Sequence, residues 1–261
     1  MISSPKLGMR IRAILETDRI WSAYALADLD PAESDHCTWL VGQQAVILAY
    51  RGLTPPVLFA HGDGVEVSAL MHAVAEGEYV FTLHLPDRAV LSDRLRVHAE
   101  HPMWRMALRL EQFHAAGGNP QPLGPDDLED MLALFADHPD RPDAFHERQL
   151  AQGVFYGVRE RGKLVAVAGT HIVSTQAGVV AIGNVFTRPD RRGLGLGTQT
   201  TSAVAAEAIR RGLATIVLNV GQDNLAAIRC YRKLGFREHC GYAEGSGYLA
   251  PSNSSDERSE Q

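Results

Sequence analysis

Residues Gly178 to Thr198 read G-V-V-A-I-G-N-V-F-T-R-P-D-R-R-G-L-G-L-G-T. An apolar, β-branched run opens the segment, a Pro-Asp turn follows, and glycines at alternate positions precede a helix-forming stretch. Because glycine has no Cβ, successive backbone N–H groups in such a loop can point to one spot, which the positive end of the following helix also faces. The segment therefore predicts a strand, an anion-binding loop and a helix, an arrangement suited to phosphate.

Two common phosphate loops do not match this segment. A Walker loop carries Lys followed by Ser or Thr after its last glycine, whereas Gly197 is followed by Thr198 and Gln199. A Rossmann fingerprint needs G-x-G-x-x-G directly after its strand, whereas the G-x-G-x-G here follows Arg-Pro-Asp-Arg-Arg. For the glycine stretch alone, a turn that only begins a helix stays an open alternative.

Two motifs in this order carry a family resemblance. Arg192 to Gly197 has the pattern R-x-x-G-x-G and resembles the pyrophosphate loop of the GNAT acetyltransferase superfamily. Asn224 to Phe236 has the pattern N-x-x-A-x-x-x-Y-x-x-x-G-F, which is similar to a signature of the same superfamily. The resemblance covers about Gln121 to Tyr248 and implies an α/β fold with a mixed sheet, the GNAT acyl-CoA N-acyltransferase fold. A looser resemblance, V-F-T-x-P-D-x-R-G-x-G-x-G, is to the glycine N-acyltransferase-like branch.

The length of 261 residues predicts two domains. We expect an N-terminal α/β domain at 1–118, a catalytic GNAT domain at 119–250 and a disordered, Ser- and acid-rich tail at 251–261. The element order of the first domain echoes that of the second, so the hypothesis is a degenerate copy of the same fold, although no residue-level repeat is visible. The pattern also predicts helices from Arg88 to His98 and from Asp143 to Gln152.

The resemblance implies where an acyl-CoA would bind. The loop amides and Arg192 would hold the diphosphate of acetyl-CoA or another short acyl-CoA. The pantetheine arm would lie along the preceding strand, against backbone groups left unpaired where the two central strands splay apart. Asn224 would contact the cofactor or only cap its helix. The expected cofactor-binding residues are Val185, Phe186, Thr187, Arg192, Gly193, Leu194, Gly195, Leu196, Gly197, Thr198, Asn224 and Tyr231.

Catalysis would need a general acid and a general base. Tyr231 is the candidate acid, because a phenol with a pKa of about 10 can still protonate a thiolate with a pKa of about 8.5. A core tyrosine is the alternative, since Ala227, Tyr231 and Leu234 share one helical face. Many family members carry a Glu on the strand before the loop, but Gly178 to Ala181 contains no carboxylate. His171 is the candidate base, with a hydrogen-bonded core histidine as its alternative; a water chain or the free-base fraction of the substrate could replace it.

Composition restricts the partners. The 31 acidic and 25 basic residues leave a net charge of −6, which disfavours nucleic acid and suits a cationic or neutral acceptor. No apolar run reaches the length of a membrane span and Met1 to Arg10 lacks a signal-peptide core, so we expect a cytoplasmic protein without a membrane partner. The 3 Cys lack a C-x-x-C pair and the 11 His lack H-x-x-x-H spacing, so no metal is expected. A homodimer stays open.

The sequence thus predicts an N-acyltransferase that moves an acetyl or short acyl group from acyl-CoA to a primary amine. The expected acceptor is a small molecule or amino acid, which would attack the thioester directly in a ternary complex. The alternative is a catalytically silent module that binds acyl-CoA as a sensor or assembly unit. The absent strand carboxylate motivates this alternative.

Overall fold

A computed structural model of the protein describes residues 5–91, 93–136, 138–142 and 145–252. Its strands are β1 (Cys37–Val41), β2 (Ala45–Tyr50), β3 (Val57–Gly62), β4 (Gly77–Leu83), β5 (Leu95–Leu108), β6 (Gln121–Leu123), β7 (Phe155–Glu160), β8 (Lys163–Ser174), β9 (Val179–Thr187), β10 (Thr215–Gly221) and β11 (Phe236–Leu249). Its helices are α1 (Pro5–Leu15), α2 (Ala23–Ala27), α3 (Gly64–Met71), α4 (Leu85–Val90), α5 (Leu128–Phe135), α6 (Arg148–Gln152), α7 (Leu196–Arg210) and α8 (Leu225–Leu234).

The chain forms two compact units, one of residues 1–103 with 241–261 and one of residues 104–240. These bounds differ from the predicted 1–118 and 119–250, because the chain passes from one unit to the other inside β5 and again inside β11. A boundary inside a strand carries no turn-forming sequence, so composition cannot reveal it. The degenerate-copy hypothesis stays a prediction, and residues 253–261 of the predicted tail lie outside the described residues.

In the first unit the strand order is β1-β2-β3-β4-β11-β5. β1, β2 and β3 pair antiparallel, β3 and β4 pair parallel, and β4 pairs antiparallel with β11. α3 begins after Asp63, whose side chain accepts hydrogen bonds from the N–H groups of Val65 and Glu66. A buried apolar cluster of this unit includes Ile47, Leu58, Val67, Met71, Phe81, Leu83 and Leu249.

The predicted helix from Arg88 to His98 is wrong. The helix is α4, which starts earlier because Pro86 suits the first helical turn, and it ends before β5 begins at Leu95. β5 lies next to β11 in the sheet. A Cβ at Gly245 or Gly247 of β11 would collide with backbone carbonyl oxygens of β5. Close strand pairing therefore overrides the local preference of this segment for a helix.

In the second unit β10-β9-β8-β7-β6 are consecutive neighbours, and β5 lies next to β10. β6 to β9 pair antiparallel, whereas β9 and β10 pair parallel with α7 as their connection. The mixed α/β fold expected from the resemblance is confirmed. The helix predicted from Asp143 to Gln152 is shorter in the structure, where α6 begins at Arg148 and ends at Gln152. Asp143 and Ala144 lie outside the described residues. Within the described part of the chain, no helix combines the length and apolar character needed to cross a membrane.

Candidate active site

The loop between β9 and α7 has the conformation that its glycines allow. Gly193 and Gly195 have φ values of 79° and 78°, in the left-handed region that residues with side chains rarely adopt. A Cβ at either position would meet no protein atom within 4 Å. α7 begins at Leu196, and no side chain caps its N-terminus. The first N–H groups of α7 are therefore not used by a cap and border an open loop, as an anion site requires.

A cleft of about 720 Å³ lies beside this loop. Leu194 does not line it; its side chain is 61% exposed and belongs to the surface of the loop. The predicted cofactor residues that the cleft brings together are Val185, Phe186, Thr187, Arg192, Gly193, Gly195, Leu196, Gly197, Thr198, Asn224 and Tyr231. The lining residues that sequence analysis did not single out are Asp140, Arg191, Asp223, Ala226, Ala227, Arg229, Cys230 and Lys233.

Two parallel strands separate along this cleft. β9 and β10 pair only over residues 179–182 and 215–218. Both strands continue further, β9 to Thr187 and β10 to Gly221. Val185 to Thr187 therefore present backbone groups that this pairing does not use, and the same residues line the cleft. The opening has the form expected for a site that takes up an extended, amide-containing ligand as an additional strand.

Arg192 has an acidic neighbour that the sequence did not reveal. Its Nη2 donates to Oδ2 of Asp140 at 3.0 Å, its Nε donates to the carbonyl of Thr187 at 3.2 Å, and its guanidinium lies 6.0 Å from the ring centre of Phe186. The two charged side chains are 47% and 60% exposed, and such a pair contributes only about 0–1 kcal/mol. An incoming phosphate can therefore replace the carboxylate of Asp140. No motif marks Asp140; only the folded chain places it here.

Tyr231 is buried in the core of the second unit and also lines the cleft. Its ring packs edge-on against Phe236, with 6.1 Å between ring centres. Among the described residues its hydroxyl has no hydrogen-bond partner. Burial, and next the neighbouring Cys230, raise the pKa of Tyr231 above its usual value of 10. The phenol is therefore fully protonated at neutral pH, and both interpretations, acid and core residue, fit its position.

Local sequence explains the helix that carries Tyr231. Asn224 precedes α8, and its side-chain oxygen accepts a hydrogen bond from the N–H of Ala227 at 3.1 Å. Gly235 ends the helix with a φ of 103°, a left-handed conformation typical of a glycine after the last turn. Asn224 also lines the cleft, so the capping interpretation is confirmed and a cofactor contact stays a prediction.

His171 does not line the cleft. It lies on β8, half-buried, and does not belong to the lining residues. Its imidazole packs against β9, because a Cβ at Gly183 would collide with the ring. The carbonyl of His171 accepts a hydrogen bond from Nε2 of Gln149 at 3.4 Å. His171 therefore has the surroundings of a packed strand residue, and its role as the base stays a prediction.

Asn184 is a buried polar residue of β9. It has a φ of 51° and lies at an irregularity in the pairing of β8 with β9. Its Nδ2 donates to Oε1 of Gln149 at 3.0 Å, an oxygen that also accepts from the N–H of His146. The amide of Asn184 must therefore present its donor to Gln149. Its Oδ1 is then left buried without a hydrogen-bond partner within the described residues.

Comparison with known proteins agrees with this geometry. Residues 125–236 match the model of the acetyltransferase (GNAT) family. A mycothiol acetyltransferase from Stackebrandtia nassauensis is 29% identical over 206 residues, which cover 67% of this chain and 66% of that protein. The ribosomal protein bS18 alanine N-acetyltransferase of Escherichia coli K12 is 35% identical over 83 residues, 32% of this chain and 54% of that protein.

The chain spans between 27% and 66% of the length of the mycothiol acetyltransferases that it matches. Among solved structures, a GCN5-related N-acetyltransferase from Kribbella flavida has a TM-score of 0.60 at 19% identity, covering 88% of this chain and 94% of that one. This similarity shows the fold. Nothing in these matches shows the glycine N-acyltransferase-like branch, which stays a prediction. In its glycine loop, its splayed strands and its match to the family model, the segment 125–236 is similar to the GNAT acetyltransferase superfamily.

Proposed function

We propose that the protein is an N-acetyltransferase that moves an acetyl or short acyl group from acyl-CoA to a primary amine. One observation carries this proposal. The glycine loop, the unpaired part of β9 and Tyr231 line the same cleft. An anion site, an amide-binding edge and a proton donor are the three features that transfer from a thioester attached to a diphosphate requires.

The acyl donor, acyl-CoA, would bind with its diphosphate at the glycine loop and its thioester deeper in the cleft. Its diphosphate would accept hydrogen bonds from amides of Gly193 to Thr198, with Arg192 exchanging Asp140 for phosphate. Its pantetheine amides would pair with backbone groups of Val185 to Thr187. The thioester would then lie near Tyr231, which lines the same cleft.

The proposed reaction is a direct transfer. The amine nitrogen attacks the thioester carbonyl, a C–N bond forms, the C–S bond breaks, and the sulfur leaves as a thiolate. The hydroxyl of Tyr231 donates its proton to this thiolate, and the proton released by the amine nitrogen returns through water to the phenolate. Tyr231 is a weak acid for this task, but a thiolate in the same buried surroundings is also destabilised, which favours its protonation.

The acceptor we propose is a small amine rather than a protein. One similar protein is named for mycothiol and another for an alanine of ribosomal protein bS18, so these names do not decide the class of acceptor. The net charge of −6 suits a cationic or neutral acceptor, and this charge is the reason for proposing a small amine.

The test is thiol release from acetyl-CoA across a panel of amines. The panel contains polyamines, amino acids, amino sugars and a short peptide with an N-terminal alanine. Turnover with a small amine supports the proposal. Turnover only with the peptide would contradict the small acceptor, and binding of acetyl-CoA without turnover on any amine would contradict the enzyme.

A silent acyl-CoA-binding module remains the second candidate because of one observation. Residues 178–181 of the cleft strand contain no carboxylate, and the candidate base His171 lies outside the lining. Calorimetry with acetyl-CoA and with free coenzyme A separates the two candidates when it is set beside the turnover data. A sensor would bind a donor tightly and turn over none of the amines.

A further inference from the structure

Two cations of α8, Arg229 and Lys233, line the cleft. Arg229 and Lys233 are exposed, one helical turn apart, and no ion pair involves either of them within the described part of the chain. The other basic residues of the lining are different. Arg191 pairs with Glu160 at 2.7 Å, and Arg192 pairs with Asp140 at 3.0 Å.

Their place on the helix separates them from the reaction end of the cleft. At about 100° per residue, Arg229 and Lys233 lie roughly 40° apart, whereas Tyr231 lies about 160–200° around the helix from both. Cys230 lies between the two groups and its thiol is hydrogen-bonded to Thr198 at the start of α7. This contact places the middle of α8 against the anion-binding loop. The two cations therefore border the loop on the side away from Tyr231.

Helix stability alone does not explain this pair. Lys233 lies in the last turn, where the helix dipole favours a cation, but Arg229 lies in the middle of α8. Like charges at i and i+4 destabilise a helix. Asp223, an acid that also lines the cleft, precedes α8 and forms no ion pair with Arg229 within the described residues. An unpaired basic pair beside an anion loop suits a second, separate phosphate group.

We propose that Arg229 and Lys233 bind a phosphate monoester of the donor, the 3′-phosphate on the ribose of coenzyme A. This inference rests on the proposed function, because it takes the donor to be an acyl-CoA. The guanidinium of Arg229 can bind two phosphate oxygens together, and the ammonium of Lys233 adds a mobile charge. The pair would make the protein select acetyl-CoA over acetyl-dephospho-CoA, which has the same thioester and diphosphate.

Calorimetry with these two donors tests the proposal on wild type, Arg229→Gln, Lys233→Gln and the double variant. Wild type is expected to bind acetyl-CoA roughly 10-fold more tightly at low salt, and less so at high salt, since exposed charges are screened. The double variant is expected to bind both donors with the affinity that wild type has for the dephospho form. Arg232→Gln is the matched control, because Arg232 lies on the same helix, pairs with Glu238 of β11 and does not line the cleft.

The outcomes separate this inference from the proposed function. Equal affinity of wild type for the two donors would overturn the inference and leave the acyl-CoA site intact. Retained selectivity in the double variant would also overturn it, as would an equal loss in Arg232→Gln, which would indicate a general charge effect. Binding of neither donor by folded wild type would overturn both proposals. Circular dichroism of each variant confirms that these exposed substitutions leave the fold unchanged.

Discussion

Replacement of Gly195 by Ala tests the anion-binding loop, and Gly212 offers a matched control. Gly195 and Gly212 have φ values of 78° and 75°, and a Cβ at either position meets no protein atom within 4 Å. Gly195 precedes the first residue of α7 and lines the cleft, whereas Gly212 follows the last turn of the same helix and does not. The two substitutions impose the same backbone strain at opposite ends of one helix.

The expected magnitudes follow from these positions. A left-handed conformation costs a residue with a Cβ about 1–2 kcal/mol. A unit of this size loses about 2–4 °C in Tm for each kcal/mol, so both variants should melt roughly 2–8 °C below wild type. In Gly195→Ala the methyl group also occupies the space beside the loop amides. Loss of one or two hydrogen bonds to a charged phosphate, at about 1.5–3 kcal/mol each, should weaken acetyl-CoA binding at least about 10-fold.

The assay is calorimetric titration of acetyl-CoA into wild type and both variants, beside their melting curves. Gly195→Ala is expected to lose affinity while Gly212→Ala keeps it within about 2-fold, at similar Tm values. Wild-type affinity in a folded Gly195→Ala protein would refute the reasoning and leave the loop as a simple helix start. An equal loss in Gly212→Ala would assign the effect to strain in α7.

Three further predictions concern buried polar groups. Tyr231→Phe removes a hydroxyl that has no hydrogen-bond partner among the described residues, so Tm should stay near wild type while kcat falls roughly 100-fold. Tyr156→Phe, outside the cleft, should change neither quantity, and full activity of Tyr231→Phe would exclude Tyr231 as the acid. Burial raises the pKa of Tyr231, and the protonated phenol is the active form, so kcat should not fall between pH 8 and about 10 in a pH-rate series. A fall of kcat to a plateau in wild type, absent from the Tyr231→Phe variant, would contradict this assignment. Asn184→Asp would direct a carboxylate at Oε1 of Gln149, so the folded-state pKa of the new carboxyl group should be raised. The variant should then lose stability as pH rises above about 4, by at least about 1–3 kcal/mol at pH 7. An equal Tm difference from wild type at pH 4 and pH 7 would contradict this.

The features that the sequence by itself determined are those set by neighbouring residues. Alternate glycines after a Pro-Asp turn lead to a left-handed loop and a helix start at Leu196, because glycine alone adopts these backbone angles without strain. Asn224 and Gly235 set the two ends of α8 in the same way, through one capping hydrogen bond and one left-handed residue. These local rules, together with two motif spacings, were enough for the fold of the second unit and for most of the cleft.

The remaining features depend on residues that are distant in sequence. β5 is a strand because its backbone pairs in the sheet, and both passages between the units lie inside strands, where no turn signal exists. Only the folded chain places Asp140 beside Arg192 and leaves His171 outside the lining of the cleft. The same holds for Arg229 and Lys233, which form no ion pair with any acid that the structure describes. Strand register and side-chain direction decide these contacts, and a register is set by packing across the whole sheet rather than by any one segment of sequence.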